Sequence, residues 1–135
     1  LLKNVGNAIF VRRGEVDRKA LRAALSLLES GKVLGLAPEG TRSRTGALQK
    51  GKDGVAYLAM RTGVPIVPLA AWGQEATFRE LKRGRRARIR IVIGPPFRLT
   101  GGSRDTRAEG LNVATDRIMR TIAGMLPEEY RGVYR

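Results

Sequence analysis

The sequence contains no cysteine and no histidine among its 135 residues. Without cysteine the chain has no disulfide framework and no thiolate metal site. Without histidine it cannot supply a serine-hydrolase triad, a histidine ligand for zinc or an imidazole general base on its own. Long apolar runs are also missing, since the longest, residues 64–72, contains two prolines and falls short of the roughly 18 residues that span a bilayer. These absences exclude several enzyme classes for this chain alone.

Positive charge is present in large excess, with 26 Lys plus Arg against 12 Asp plus Glu and a net charge of +14. Such an excess indicates an anionic partner. Composition alone does not show whether this partner is nucleic acid, a lipid headgroup or a phosphorylated small molecule. Six of the nine residues 82–90 are basic, although biased codon usage would also enrich surface arginine. There are seven aromatic residues and no helix-turn-helix or RNA-recognition signature, so we do not expect a nucleic-acid partner.

Short apolar runs alternate with helical patterns along the chain. The runs predict strands at residues 8–11, 33–37, 64–71 and 89–93. Helices are predicted after an N-cap at Asp17, over residues 55–62, and from residue 105 or 106 to Pro127. Gly31 stands where the first helix should end. The alternation indicates parallel pairing through helical crossovers, and hence an α/β fold with a mostly parallel sheet flanked by helices.

A polar loop directly follows the predicted buried strand 33–37, and it begins with Pro38, Glu39, Gly40, Thr41, Arg42 and Ser43. In open parallel sheets, ligands bind beyond the carboxyl ends of the strands. Gly40 lets the backbone approach a ligand closely, while Thr41 and Ser43 offer hydroxyl groups. Arg42 offers a planar fork that matches two phosphate oxygens. The alternative is an ordinary solvated turn, because these residue types favour exposed irregular backbone.

Two further cations are expected beside this loop. Arg13 follows the first predicted strand, so parallel pairing would place Arg13 and Arg42 at the same sheet edge, where both could bind one phosphate. Lys52 precedes the next helix and adds a third charge near a helix N-terminus. Because a carboxylate would repel phosphate, Glu39 is expected to accept a hydrogen bond from a substrate hydroxyl or to orient an arginine.

The same residues carry a family resemblance in three ordered blocks: Ile9-Phe10-Val11-Arg12-Arg13, then Pro38-Glu39-Gly40-Thr41-Arg42-Ser43, then Val64-Pro65-Ile66-Val67-Pro68. They resemble three of the four motifs of the glycerophospholipid acyltransferases, specifically the bacterial 1-acyl-glycerol-3-phosphate acyltransferases. The resemblance implies a fold like that of the glycerol-3-phosphate acyltransferases. It also implies that residues of the first two blocks bind the acceptor phosphate and glycerol: Arg13, Glu39, Gly40, Thr41, Arg42 and Ser43.

Outside those two blocks, Lys52 resembles a lysine that follows the second block in Gly-Lys-x-Gly form. Pro65 and Pro68 resemble prolines that shape the acyl site, with a purely structural role as the alternative. Arg12 departs from the family pattern, which often has Asp at that place.

The family's remaining motif, Asn-His-x-x-x-x-Asp, has no counterpart in this sequence. In the family the histidine is the general base toward the acceptor hydroxyl. We therefore expect residues 1–135 to be the C-terminal part of a single acyltransferase domain, with the catalytic His and Asp upstream and no activity in this chain alone. A catalytically inactive, phospholipid-binding relative is one alternative, and a basic nucleic-acid-binding module is a second.

The reaction implied by the resemblance is transfer of a fatty acyl group to the sn-2 hydroxyl of lysophosphatidic acid, which gives phosphatidic acid. The donor would be acyl-CoA or acyl-carrier protein, with no metal and no other cofactor. The implied partners are the lysophospholipid acceptor, the thioester donor and an anionic membrane surface, toward which residues 82–90 would contribute charge. The expected location is the cytoplasmic face of the cell membrane, peripheral or anchored by a missing upstream segment.

Overall fold

The computed structural model describes residues 18–41, 43, 45–86, 88–99 and 108–135. Its elements are α1 (Arg18–Glu29), α2 (Gly54–Thr62), β1 (Leu69–Trp72), α3 (Thr77–Lys82), β2 (Arg90–Ile93) and α4 (Ala108–Gly124). Short 3₁₀ turns lie at Gln74–Ala76, Glu128–Tyr130 and Gly132–Tyr134. Two compact units are present, Leu1–Gly35 and Leu36–Arg135. The predicted strand 8–11 lies outside the described residues, and no helix among those described is long and apolar enough to cross a membrane.

The first predicted helix is confirmed as α1, and Gly31 ends it as the sequence indicated. Gly31 has a φ of +76°, a left-handed conformation that glycine adopts without a steric penalty. The Lys32 N–H donates to the Leu27 carbonyl at 3.1 Å, and the Gly31 N–H donates to the Leu28 carbonyl at 3.0 Å. This pair of bonds is the Schellman motif, which satisfies carbonyls that the last helical turn leaves without partners.

The strand predicted at residues 33–37 is not found. These residues have no strand or helix conformation, and the Val33 side chain is 97% exposed. An apolar run becomes a strand only where its backbone groups meet a ladder partner, and the described sheet contains only β1 and β2. The prediction of a strand buried on both faces is therefore wrong for the described structure.

The described sheet is a two-stranded antiparallel pair in which Leu69 lies opposite Ile93. The pairing continues beyond the strands, where Ile66 bridges Phe97. Between these two pairings the second strand has one residue more than the first, so the ribbon contains a bulge next to residues 95–96, both prolines without an N–H to donate. The fold is α/β, but the predicted mostly parallel sheet is not confirmed. The physical reason is that the chain between β1 and β2 turns back instead of crossing a face of the sheet.

The core of the second unit forms where α4 packs against α2 and β1. Its buried side chains come from all three elements and from the turn after α4: Ala56, Met60, Ala70, Ala114, Ile118, Ile122 and Leu126. The predicted apolar stripe of α4 is confirmed, because Thr115, Ile118 and Ile122 are buried, while Leu111 and Met125 pack at the edge of this core. Full burial of one isoleucine stabilises the fold by about 1.5 to 3 kcal/mol, so this stripe fixes α4 on the sheet.

Candidate functional site

The candidate site is the loop of residues 38–43, hereafter the phosphate loop, together with Lys52. The loop turns at Gly40, which has a φ of +66° and whose N–H donates to the Ala37 carbonyl at 3.0 Å. A Cβ atom at Gly40 would lie 3.0 Å from Lys52 Cδ and 3.3 Å from Lys52 Nζ. The Lys52 side chain therefore lies across the backbone of Gly40, and its ammonium group is held at the surface of the loop.

Two hydrogen bonds connect the loop to the segment that carries Lys52. The backbone N–H of Lys52 donates to the Pro38 carbonyl at 2.8 Å. The backbone N–H of Gln49 donates to Oε2 of Glu39 at 2.8 Å, in a partly buried position. In the described part of the chain, the other carboxylate oxygen of Glu39 receives no hydrogen bond. One carboxylate oxygen of Glu39 therefore connects the loop to the segment that carries Lys52, and the other can accept a hydrogen bond from a ligand hydroxyl.

The remaining predicted loop residues are described only in part. Thr41 is exposed and Ser43 is half-buried. The hydroxyl groups of Ser43 and Thr45 lie 3.3 Å apart, within hydrogen-bond distance. Arg13 and Arg42 lie outside the described residues, so their predicted roles remain predictions.

The segment after the loop is held by residues that the sequence analysis did not identify. Gly51 donates its N–H to the hydroxyl of Tyr134 at 2.9 Å. The hydroxyl of Thr115 donates to Oδ1 of Asp53 at 2.7 Å. One signal could have indicated the second contact, because a hydroxyl on the otherwise apolar buried stripe of α4 needs a hydrogen-bond partner. No local signal indicates Tyr134, which is 83 positions from Gly51.

The prolines of the third block lie in the sheet region. Pro65 is exposed, whereas Pro68 is buried. The Pro68 carbonyl accepts the N–H of Gly94 at 2.9 Å, and Pro68 Cγ would lie 2.9 Å from a Cβ placed on Gly94. Pro68 thus has a structural role in the ribbon, and the predicted effect of both prolines on an acyl site remains a prediction.

The basic segment 82–90 joins α3 to β2. Its six cationic side chains are all exposed: Lys82, Arg83, Arg85, Arg86, Arg88 and Arg90. Arg83 lies 3.9 Å from the carboxylate of Glu80, a distance at which an exposed ion pair stabilises little. The charge of this segment is therefore available to an anionic partner.

The Lys52 ammonium group lies beside the open turn at Gly40, and Thr41 and Ser43 of the same loop carry hydroxyl groups. An ammonium group of this kind attracts phosphate as a compact point charge with three donors. The missing side chain at Gly40 leaves the backbone open to close approach. Among the described residues Lys52 forms no ion pair, so its charge is available to an anionic ligand.

Comparison with known proteins gives a consistent result. The Acyltransferase family matches residues 1–72. A 1-acyl-sn-glycerol-3-phosphate acyltransferase of Cocos nucifera is 31% identical over 118 residues, which cover 87% of this chain and 35% of that protein. A chloroplastic 1-acyl-sn-glycerol-3-phosphate acyltransferase of Brassica napus is 30% identical over 111 residues, covering 76% of this chain and 32% of that protein.

A bacterial relative, the 1-acyl-sn-glycerol-3-phosphate acyltransferase of Borreliella burgdorferi, is 34% identical over 76 residues, or 55% of this chain and 30% of that protein. The chain spans about a third of the length of the curated relatives that it matches. No solved structure matches it. Because the family match covers more than half of the chain and includes the phosphate loop, the chain belongs to the acyltransferase family.

Proposed function

We propose that the protein transfers a fatty acyl group from a thioester, acyl-CoA or acyl-carrier protein, to the sn-2 hydroxyl of lysophosphatidic acid. The part described here binds the phosphate and glycerol of the acceptor. The relatives' names support the acceptor class, since each is called a 1-acyl-sn-glycerol-3-phosphate acyltransferase. No metal and no cofactor beyond the thioester co-substrate enters this proposal.

The proposal rests on the position of the Lys52 side chain across Gly40. Nζ of Lys52 lies 3.3 Å from the point where a Cβ atom on residue 40 would be. This arrangement leaves a cation and an open backbone turn on one surface. In the proposed complex, the acceptor phosphate lies against Lys52 and the turn. Arg42 of the loop would add a guanidinium group, which binds two phosphate oxygens at once, and the role predicted for Arg13 remains a prediction.

Glu39 and the loop hydroxyls would act on the glycerol part of the acceptor. The carboxylate oxygen of Glu39 that receives no hydrogen bond from the described residues would accept one from a glycerol hydroxyl, and Thr41 and Ser43 would donate to phosphate or glycerol oxygens. The general base that takes the proton of the attacking hydroxyl is supplied by residues outside this chain, which contains no histidine. A positioned base typically accelerates such a step by about 10² to 10⁴-fold.

Anchoring the phosphate contributes to the rate in a different way. A phosphate held at a fixed point restricts where the glycerol hydroxyl can lie, so the hydroxyl meets the base and the thioester as part of one complex. The phosphate loop therefore positions the acceptor hydroxyl, and the general base removes the proton from that hydroxyl. A catalytically inactive phospholipid-binding relative would use the same loop for binding alone.

The acceptor is a membrane lipid, and the proposed site of action is the surface of an anionic bilayer. The exposed cations of residues 82–90 support this location, because each basic residue near such a surface contributes about 1 kcal/mol at moderate salt. The apolar side chains Ile89 and Ile91, 53% and 60% exposed, lie in the same stretch. We place the protein at the cytoplasmic face of the membrane.

The test is calorimetric titration of the 135-residue chain with sn-glycerol 3-phosphate, with glycerol as the ligand that lacks the phosphate. We expect sn-glycerol 3-phosphate to bind and glycerol not to bind. Lys52→Gln should weaken the binding about ten- to a hundredfold, since a hydrogen bond to a charged group contributes about 1.5 to 3 kcal/mol.

Lys50→Gln is the matched control, because Lys50 is also exposed and lies two residues away. It removes the same charge without touching the loop, so it should leave the affinity within about twofold. Equal loss in both variants would show that net charge, and not the Lys52 position, causes the binding.

A further inference from the structure

The residues 48–52, hereafter the bridging segment, lie between the phosphate loop and residues 127–135, hereafter the terminal segment. Four of their backbone N–H groups have defined acceptors. These are the Tyr130 carbonyl for Leu48 at 2.9 Å, Glu39 Oε2 for Gln49 at 2.8 Å, the Tyr134 hydroxyl for Gly51 at 2.9 Å and the Pro38 carbonyl for Lys52 at 2.8 Å. Two of these bonds reach the phosphate loop and two reach the terminal segment, in alternation.

The two hydrogen bonds to the terminal segment differ in their acceptors. Leu48 donates to a backbone carbonyl, that of Tyr130, whereas Gly51 donates to a side chain, the hydroxyl of Tyr134. Gly51 immediately precedes Lys52, and the two share a rigid planar peptide unit. Glycine has more backbone freedom than any other residue, so a free Gly51 would let the Lys52 backbone rotate. The Gly51 N–H belongs to the preceding peptide unit, between Lys50 and Gly51. The Tyr134 hydroxyl holds that unit and the Pro38 carbonyl holds the unit shared with Lys52, so the two bonds together restrict rotation about Gly51.

Helix α4 holds Gly51 by direct packing. A Cβ atom on Gly51 would lie 2.6 Å from Met119 Cγ and 2.9 Å from Thr115 Cγ2, so the backbone of Gly51 packs directly against α4. The side chain of Thr115 also holds Asp53 through a hydrogen bond of 2.7 Å. Contacts with α4 thus fix the residues on both sides of Lys52, while Tyr134 fixes the Gly51 N–H.

We propose that Tyr134 is a positioning residue for phosphate binding, acting through Gly51 on Lys52. Its hydroxyl is bonded to a backbone group and does not itself bind the ligand. By holding Gly51, it keeps the Lys52 ammonium across Gly40 before the ligand arrives. This inference rests on the proposed function, since it assigns Tyr134 to the site that binds the acceptor phosphate.

The variant that tests this role is Tyr134→Phe, which keeps the aromatic ring and removes only the hydroxyl. Losing one neutral hydrogen bond should weaken the binding of sn-glycerol 3-phosphate about two- to twelvefold. The exchange of the Gly51 amide hydrogen should accelerate by a similar factor, since its acceptor is gone. The control is Tyr57→Phe, which removes a hydroxyl from α2 and should change neither quantity.

A double-mutant cycle separates positioning from general stability. If Tyr134 acts through Lys52, then Tyr134→Phe should cause no further loss of affinity in a Lys52→Gln background. If the hydroxyl only stabilises the fold, the same loss should appear in both backgrounds. Titrations of the four proteins with sn-glycerol 3-phosphate, all on the 135-residue chain, measure this coupling.

The outcomes distinguish this inference from the proposed function. Binding by the parent, with a loss for Tyr134→Phe that disappears beside Lys52→Gln, establishes Tyr134 as a positioning residue. Binding by the parent with equal affinity for Tyr134→Phe, or with additive losses, overturns the inference and leaves the proposed function intact. Failure of the parent to bind overturns both, even if the Gly51 amide exchanges faster in the variant.

Discussion

Gly40 combines a left-handed backbone with close approach of a cationic side chain, that of Lys52. Its φ of +66° is unfavourable for a residue with a side chain. An added Cβ would also lie 3.0 Å from Lys52 Cδ, so the lysine would have to move. The residue therefore links the conformation of the loop to the position of its charge.

Gly40→Ala should lower the free energy of unfolding by about 1 to 2 kcal/mol, the typical penalty for an ordinary residue in this conformation. It should also weaken sn-glycerol 3-phosphate binding, because Lys52 is displaced. Gly35→Ala is the control: a Cβ at Gly35 meets nothing within 4 Å, so stability should change by less than about 1 kcal/mol. Urea unfolding of both variants measures this, and equal changes would contradict the assigned role of Gly40.

A second residue-scale feature is the contact between Tyr130 and Glu75. The Tyr130 hydroxyl donates to Oε1 of Glu75 at 2.6 Å. This hydrogen bond, with desolvation and the negative charges of Glu75 and Glu129, raises the pKa of Tyr130 above its usual 10.0, against a smaller opposing effect of Arg90. The folded state therefore retains the tyrosine proton to higher pH than the unfolded state.

The pH dependence of stability follows from this difference. The contribution of Tyr130 is fully present below the unfolded pKa near 10 and is lost as pH rises through the higher folded pKa. Glu75→Gln should lower the pKa of Tyr130 and reduce this alkaline loss. An NMR titration of the Tyr130 ring, with urea unfolding over the same pH series, checks both effects. An unchanged pKa in Glu75→Gln would contradict the proposed cause.

Sequence reasoning succeeded at residue scale where the partner is near in the chain. It placed Lys52 at the start of the next helix as a further charge beside the loop 38–43, and the Lys52 side chain does lie against Gly40, while its role in binding remains a prediction. It did not identify Tyr134, whose contact with Gly51 spans 83 positions and depends on how α4 returns the chain to the loop. Such contacts arise from tertiary packing, which local patterns do not encode.

At the scale of elements, helix ends were predicted well and strand pairing was not. The end of α1 at Gly31 follows from glycine's own conformational freedom, which is a local property. A strand at 33–37 was wrong because an apolar run does not specify its ladder partner. The antiparallel pairing of β1 with β2 was missed for the same reason: the alternation of strands and helices earlier in the chain suggested parallel pairing, whereas the chain between β1 and β2 turns back.

The packing of the bridging segment on α4 gives a prediction at this scale. Gly51→Ala places a methyl group 2.6 Å from Met119 Cγ, and overpacking of this kind costs about 1 to 3 kcal/mol. Gly54→Ala is the matched control, since a Cβ there meets nothing within 4 Å and alanine favours the start of α2. It should be neutral or stabilising by up to about 1 kcal/mol. Thermal unfolding of both variants tests this, and a stable Gly51→Ala would show that α4 does not abut Gly51.

The dominant property of the whole molecule is its net charge of +14. The position of the basic residues on the surface determines which anionic partner they can bind. Replacing Arg83, Arg85 and Arg86 with Gln should selectively reduce the salt-dependent part of binding to phosphatidylglycerol vesicles. The matched control replaces three other exposed arginines, Arg18, Arg22 and Arg61, and removes the same total charge.

Co-sedimentation across a salt series compares these two triple variants with the parent. A larger loss for the first variant would establish residues 82–90 as the membrane contact. Equal losses would mean that net charge alone draws the protein to the bilayer, and the specific role of this segment would be wrong.

In the proposed complex, the phosphate loop and Lys52 form the binding site for the acceptor phosphate. Amide chemical-shift mapping of the isotopically labelled chain during titration with sn-glycerol 3-phosphate tests it most directly, because it locates the ligand. We expect the largest shifts at the amides of Gly40, Thr41, Gly51 and Lys52, with small shifts at Gly84 in the basic segment. Shifts concentrated at residues 82–90, with none at Gly40 or Lys52, would contradict it.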